Sequence, residues 1–215
     1  MQKVYVHPLP VRIWHWVNAL GFVLLIATGL QIRYLDMFYV LSFENAVVSH
    51  NWIGFALIAN YFLWFCFYLF TDKISNYIPE TDPKKYFLGA ARQIYFYAFG
   101  IFRGDPNPYR VTPERKFNAL QIMMYQLIML LLVPLLFGSG ILLWDVERFS
   151  TIIELLGGVR IVDTLHVLLF IFFASFIVTH VYLVTLGHTT MAHIKAMFSG
   201  FEEVDDEPPK KGPAA

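Results

Sequence analysis

The 215-residue chain is 57% hydrophobic, 18% aromatic and only 15% charged, whereas soluble domains carry about a quarter charged residues, so it has too few charges to cover a water-facing surface. Its formal net charge is zero, which offers no field for nucleic acid or another polyelectrolyte partner. The single cysteine, Cys66, excludes a disulfide framework, a CxxCH haem attachment, a cysteine-ligated iron–sulfur cluster and a cysteine-type zinc site, and reads as a small apolar filler.

Four apolar stretches reach the roughly 20 residues needed to cross a hydrocarbon core; they lie at about 14–32, 47–70, 119–144 and 161–186. A chain in lipid must satisfy its own backbone hydrogen bonds, so each is predicted to be a helix. The first follows a short segment with Lys3, His7 and Arg12. It is too long for a secretory h-region and lacks an Ala-x-Ala site, so it is read as retained. It carries His15 at its start, then Gly21 and Gly29; the second carries His50 and Gly54.

The loop after the second span holds eight basic residues: Lys73, Lys84, Lys85, Arg92, Arg103, Arg110, Arg115 and Lys116. Its stretch 86–102 is fairly apolar but is interrupted by Arg92 and Gln93. As a fifth span it would be short and would break the charge asymmetry of the loops. An in-plane helix at the cytoplasmic interface, tyrosines at headgroup level, is the expectation.

The third span has no histidine. It opens on Asn118 and Gln121, three positions apart on roughly one helix face. They suit hydrogen bonds to a quinone carbonyl, or equally an ordinary polar helix start. The fourth span carries His166 and His180, whose fourteen-residue separation is about 21 Å along the axis and within about 40° of whole turns. Residues 201–215 are acidic, then rich in Pro and Lys, and are expected to form a disordered cytoplasmic tail beyond a single domain, 1–200. The sequence shows no soluble domain, internal repeat or transporter-like broken helix pair.

Thirteen of the sixteen basic residues fall in the N-terminal segment, the central loop and the tail; the other loops hold only Arg33, Arg148 and Arg160. By the positive-inside rule both termini are cytoplasmic. His15 then lies near the inner surface with His180, and His50 near the outer surface with His166. Intramembrane histidine is a functional hypothesis by default. Four histidines in two matched pairs, each bridging two helices, fit axial ligation of two non-covalent haems. The expected fold is an all-α membrane protein, a four-transmembrane-helix bundle binding two haems b: an outer one on His50 and His166, an inner one on His15 and His180. A haem-free protein with histidines for packing or proton relay is the bland alternative. Gly21, Gly29 and Gly54 make room for the macrocycles or for close helix packing. Arg12 reads as a haem-propionate partner or a headgroup contact, and His7, His188 and His193 as interfacial.

These residues resemble the b-type cytochrome subunit of membrane-bound nickel–iron hydrogenases, with the gamma subunit of respiratory formate dehydrogenase and the cytochrome b of thiosulfate reductase as relatives. The opening His7-Pro8-Leu9-Pro10-Val11-Arg12-Ile13-Trp14-His15-Trp16, the His166/His180 spacing, Thr189-Thr190-Met191-Ala192-His193-Ile194 and Met197-Phe198-Ser199-Gly200 carry the likeness over essentially the whole chain. The resemblance implies axial ligands at His15, His50, His166 and His180. It also implies a quinone site (menaquinone or ubiquinone) at an Asn-Ala-Gly-Gln-like motif, which Asn118 and Gln121 match while Leu120 replaces the glycine. Implied partners are an iron–sulfur subunit and a catalytic subunit of hydrogenase, formate dehydrogenase or sulfur-oxyanion reductase type, in a bacterial or archaeal cytoplasmic membrane. A freestanding quinone-linked oxidoreductase of superoxide oxidase type is the alternative.

Overall fold

The computed structural model describes residues 2–35, 37, 39–71, 78, 81–109, 117–186 and 189–204. His188, most of the expected tail, and Lys73, Arg110, Arg115 and Lys116 of the basic loop lie outside the described residues.

The chain is mostly helical, with four helices long and apolar enough to cross a membrane. Helix α1 spans Leu9–Arg33 and begins just after Pro8, with Pro10 in its first turn, where a missing N–H costs nothing. Helix α2 spans Phe43–Leu69. The third span runs from Ala119 to Trp144 as α5 (Ala119–Leu127), a π-helical turn (Ile128–Leu132) and α6 (Val133–Trp144). The widened turn has a cause in Pro134, which lacks an N–H and would crowd the carbonyl of Leu130 in a regular helix. The fourth span is α8, Val159–Val184. Asp163 near its start meets Arg33 of α1 at 3.5 Å. All four helices keep large apolar side chains on exposed faces, among them Leu63, Leu130 and Val178, as a hydrocarbon solvent requires.

The described chain divides into two units. One comprises residues 10–67 and 131–184, that is, most of α1 and α2 with α6 and α8. Here α6 packs on α8, and α1 meets α2 where Leu57, 1% exposed, lies against Gly21. A Cβ on Gly21 would stand 2.5 Å from Leu57 Cδ2, so this glycine serves helix packing. The buried Gln31 accepts from the Val40 and Leu41 amides, at 3.4 and 3.2 Å, and donates to the Leu41 carbonyl, fastening the loop after α1. The short α7, Ser150–Leu155, leads to Gly157 and Gly158, both at positive φ.

The other unit comprises residues 1–9, 68–130 and 185–215. Helix α3, Pro83–Tyr95, is capped by Asp82, whose carboxylate accepts from the Lys84 and Lys85 amides. It continues through a π turn, Phe96–Gly100, into α4, Ile101–Arg103, so the stretch read as interfacial is helical from 83 to 103. α3 packs on α5, closely enough that a Cβ on Gly89 would meet Ala119 at 3.2 Å. Strand β1, Gln2–Tyr5, pairs antiparallel with β2, Phe201–Val204, which follows α9, Ala192–Ser199. The tail expected from residue 201 is therefore corrected at its start. The Tyr5 and Phe201 rings meet at a tilt, centroids 5.1 Å apart, and the Gly200 carbonyl accepts from the Val6 and His7 amides. A partner two hundred residues away supplies order that local composition does not announce.

Candidate functional site

The histidines predicted to pair do meet, all four within the unit built from α1, α2, α6 and α8. His15 of α1 and His180 of α8 have ring centroids 6.3 Å apart. His50 of α2 and His166 of α8 have theirs 6.4 Å apart. A metal–imidazole nitrogen bond is about 2 Å and the ring centroid lies roughly 1.1 Å behind its nitrogen, so two imidazoles on opposite sides of one ion have centroids about 6.2 Å apart. Both pairs therefore stand at a bis-imidazole spacing. Among the described residues no third His, Cys, Asp or Glu joins either pair to make a protein-only metal cluster. Two ligands and no more suit an ion whose remaining positions are filled by a macrocycle, as in haem.

Beside the His50/His166 pair, Gly54, Phe55, Phe137 and Trp144 help to line an open, mostly apolar cleft. A Cβ on Gly54 would meet nothing within 4 Å, so this glycine leaves the cleft wide. At the His15/His180 pair, the buried Nδ1 of His15 has no hydrogen-bond partner among the described residues. The residues present fit haem.

Sequence reasoning missed what seats His50 and His166. Thr28 Oγ1 lies 2.9 Å from His50 Nδ1 and donates to the Leu24 carbonyl at 2.8 Å. Ser139 Oγ lies 2.9 Å from His166 Nδ1 and donates to the Leu136 carbonyl at 3.0 Å. A hydroxyl has one proton; with it given to the carbonyl, the oxygen is free to accept from an Nδ1–H, the tautomer that keeps Nε2 as the lone-pair nitrogen. The next residue in each helix is a glycine against the same ring. A Cβ on Gly29 would stand 3.4 Å from His50 Cε1, and one on Gly140 3.3 Å from His166 Cε1. Two hydroxyl–glycine dipeptides, Thr28-Gly29 and Ser139-Gly140, thus form matching notches. The third span, which has no histidine, contributes one of them. The only signal in the sequence is a hydroxyl beside a glycine inside an apolar run.

Phe22 and Phe173, 5.3 Å apart, are a second omission; Phe173 sits seven residues from both His166 and His180. His180 also stacks on Phe176 at 5.8 Å. Arg12 is half-buried and precedes His15 by three residues on α1, the spacing that puts both on one face.

Asn118 and Gln121 belong to the other unit and form a capping box at the start of α5. Asn118 accepts from the Gln121 amide at 2.8 Å, and Gln121 Oε1 accepts from the Asn118 amide at 3.0 Å. Both side-chain oxygens are thereby engaged, leaving as donors to a ligand the Gln121 amide nitrogen and the one Asn118 N–H not given to Tyr97. Asn118 is buried and, with Gln93, hydrogen-bonds the Tyr97 side chain, whose burial pushes the phenol above its usual range. Gln121 is exposed.

The family described as "Prokaryotic cytochrome b561" matches residues 6–200. "Putative cytochrome YdhU" of Escherichia coli is 36% identical over 203 residues, covering 93% of this chain and 75% of that protein. "Probable Ni/Fe-hydrogenase B-type cytochrome subunit" of Cupriavidus necator is 25% identical over 228 residues, covering 96% and 89%. "Putative protein-methionine-sulfoxide reductase subunit YedZ1" of Azospira oryzae is 24% identical over 197 residues, covering 88% and 96%.

Proposed function

The chain belongs to the prokaryotic cytochrome b561 family, and from that premise we propose that it is a di-haem b membrane subunit, carrying electrons between an extracytoplasmic iron–sulfur partner and quinone. The observation that carries this reading is the double imidazole spacing, 6.3 Å for His15/His180 and 6.4 Å for His50/His166. Relatives named as subunits of a nickel–iron hydrogenase and of a methionine-sulfoxide reductase support a catalytic partner on another chain.

His50 and His166 would hold the outer group and His15 and His180 the inner one, each through a neutral imidazole nitrogen. Haem b, when bound, supplies a one-electron iron couple at each pair. Because one helix bears a ligand of each pair, α8 fixes the two sites about 21 Å apart along its axis. Gly54 widens the cleft beside His50 and His166, and Arg12 would pair with a propionate of the inner group. The amide nitrogens of Gln121 and Asn118 donate to the quinone carbonyl. The basic N-terminal segment and central loop put both termini in the cytoplasm. Each electron moved across the whole span then exchanges about 2.3 kcal/mol per 100 mV with the membrane potential.

The test is iron and haem content on the purified chain, with a reduced-minus-oxidised spectrum. Two b-type haems per polypeptide are expected, with His15→Ala and His50→Ala each removing a different one. One iron per chain, or both haems surviving either substitution, overturns the reading. Copurification with an iron–sulfur subunit separates a complex anchor from a freestanding oxidoreductase.

A further inference from the structure

The two imidazole pairs are not equivalent in what holds them. At the outer pair both rings meet a hydroxyl oxygen, Thr28 for His50 and Ser139 for His166, each at 2.9 Å from Nδ1. Each hydroxyl is polarised by its own donation to a carbonyl of its helix, which strengthens it as an acceptor. At the inner pair, His15 Nδ1 is buried with no partner among the described residues. An imidazole that donates from Nδ1 gains electron density at Nε2 and becomes a more basic metal ligand. A more basic ligand favours the ferric over the ferrous state, and hydrogen bonding around axial ligands is a lever by which a protein sets haem potential.

We propose that Thr28 and Ser139 are positioning residues that hold the His50/His166 haem at a lower potential than the His15/His180 haem. The inference rests on the di-haem reading above and deepens it, because it assigns a direction. One electron at a time passes inward from the outer site to the inner site, with no bond made or broken. Its source is the iron–sulfur donor of that reading, and its sink is quinone, which takes two electrons and two protons.

The arrangement is tested by potentiometric titration of the intact chain in detergent, following the two b-type bands. His50→Ala and His15→Ala identify which component belongs to which pair. Thr28→Val keeps the shape of threonine and removes the hydroxyl acceptor, leaving His50 its backbone bond to Leu25. It should raise the midpoint of the outer component, changing its ferric-to-ferrous ratio at fixed potential by about fivefold, and leave the inner component in place. Thr28→Ser restores the hydroxyl and should restore the midpoint. Ser139→Ala reports from the opposite helix and should move the same component the same way. Selective loss of the outer component in Thr28→Val, recovered in Thr28→Ser, likewise supports the seating role. Both haems present with neither midpoint moved overturns the inference, as does an outer component that titrates above the inner one in the parent chain. A parent with fewer than two haems instead fails the di-haem reading itself, so the two failures are distinguishable.

Discussion

Phe22 of α1 and Phe173 of α8 meet with ring centroids 5.3 Å apart, and Phe173 stands midway in sequence between His166 and His180. The pair fills the middle of the bundle between the two imidazole levels, and Phe173 is only 3% exposed. In lipid, helices gain little from hydrophobic burial against one another, so this contact stabilises mainly through van der Waals packing.

Phe173→Ala should therefore cost less than the same change in a water-soluble core, about 2 kcal/mol. On the di-haem proposal the two b-type bands should persist in their original proportion, because the backbone of α8 rather than the phenyl ring spaces His166 and His180. Thermal melting in detergent beside a haem spectrum checks this. A variant that loses one haem while keeping its melting temperature would give Phe173 a role in the cofactor site itself.

Gly140 carries a sharper expectation. A Cβ there would press on His166 Cε1 at 3.3 Å, so alanine requires the ring to give by a few tenths of an ångström, and a larger side chain cannot fit beside it. Gly140→Ala should retain both haems with a perturbed outer band. Gly140→Leu should lose the outer haem and about half of the b-type absorbance. Full retention of both bands in the leucine variant would show that the imidazole is not seated in this notch.

Gly200 tests the ribbon that joins the two ends of the described chain. Its φ of +91° is costly for any residue with a Cβ, and that Cβ would lie 2.6 Å from Tyr5 Cε2 and 2.9 Å from the His7 carbonyl oxygen. Gly200→Ala should open the β1–β2 pairing, accelerating hydrogen exchange at the Val6 and His7 amides, which now donate to the Gly200 carbonyl. The haem spectrum should stay as in the parent, since β1 and β2 carry none of the four histidines.

The spans were legible because uncharged apolar runs of that length leave a chain one option in lipid. The histidines were legible because imidazole is rare there and because His166 and His180 share a helix face. The seats at Thr28 and Ser139 were not. A lone hydroxyl in an apolar helix reads as bonding back to its own helix, which both do, and only the tertiary structure reveals the imidazole on the other side of the oxygen. Strand β2 was hidden behind the acidic pair Glu202 and Glu203, since its partner is the far end of the chain. The capping box was visible as Asn-x-x-Gln before an apolar run, yet the same spacing serves a ligand site, and the spacing alone does not separate the two uses.

That double use supplies the last test, because the oxygens of Asn118 and Gln121 cap α5 while their amide nitrogens are what a quinone carbonyl would need. Gln121→Glu keeps an oxygen for the Asn118 amide and exchanges the donor for a carboxylate, which the N-terminal end of a helix tolerates well. The helix should hold its stability while reoxidation of the reduced haems by added quinone slows about tenfold, the loss of one hydrogen bond in the productive complex. Asn118→Ala removes a cap and should cost about 1 kcal/mol whether or not quinone binds there. Comparing melting temperature with reoxidation rate in the two variants therefore splits capping from binding. A Gln121→Glu chain that reoxidises at the parent rate would remove Gln121 from the quinone site and leave the pair as the start of a helix.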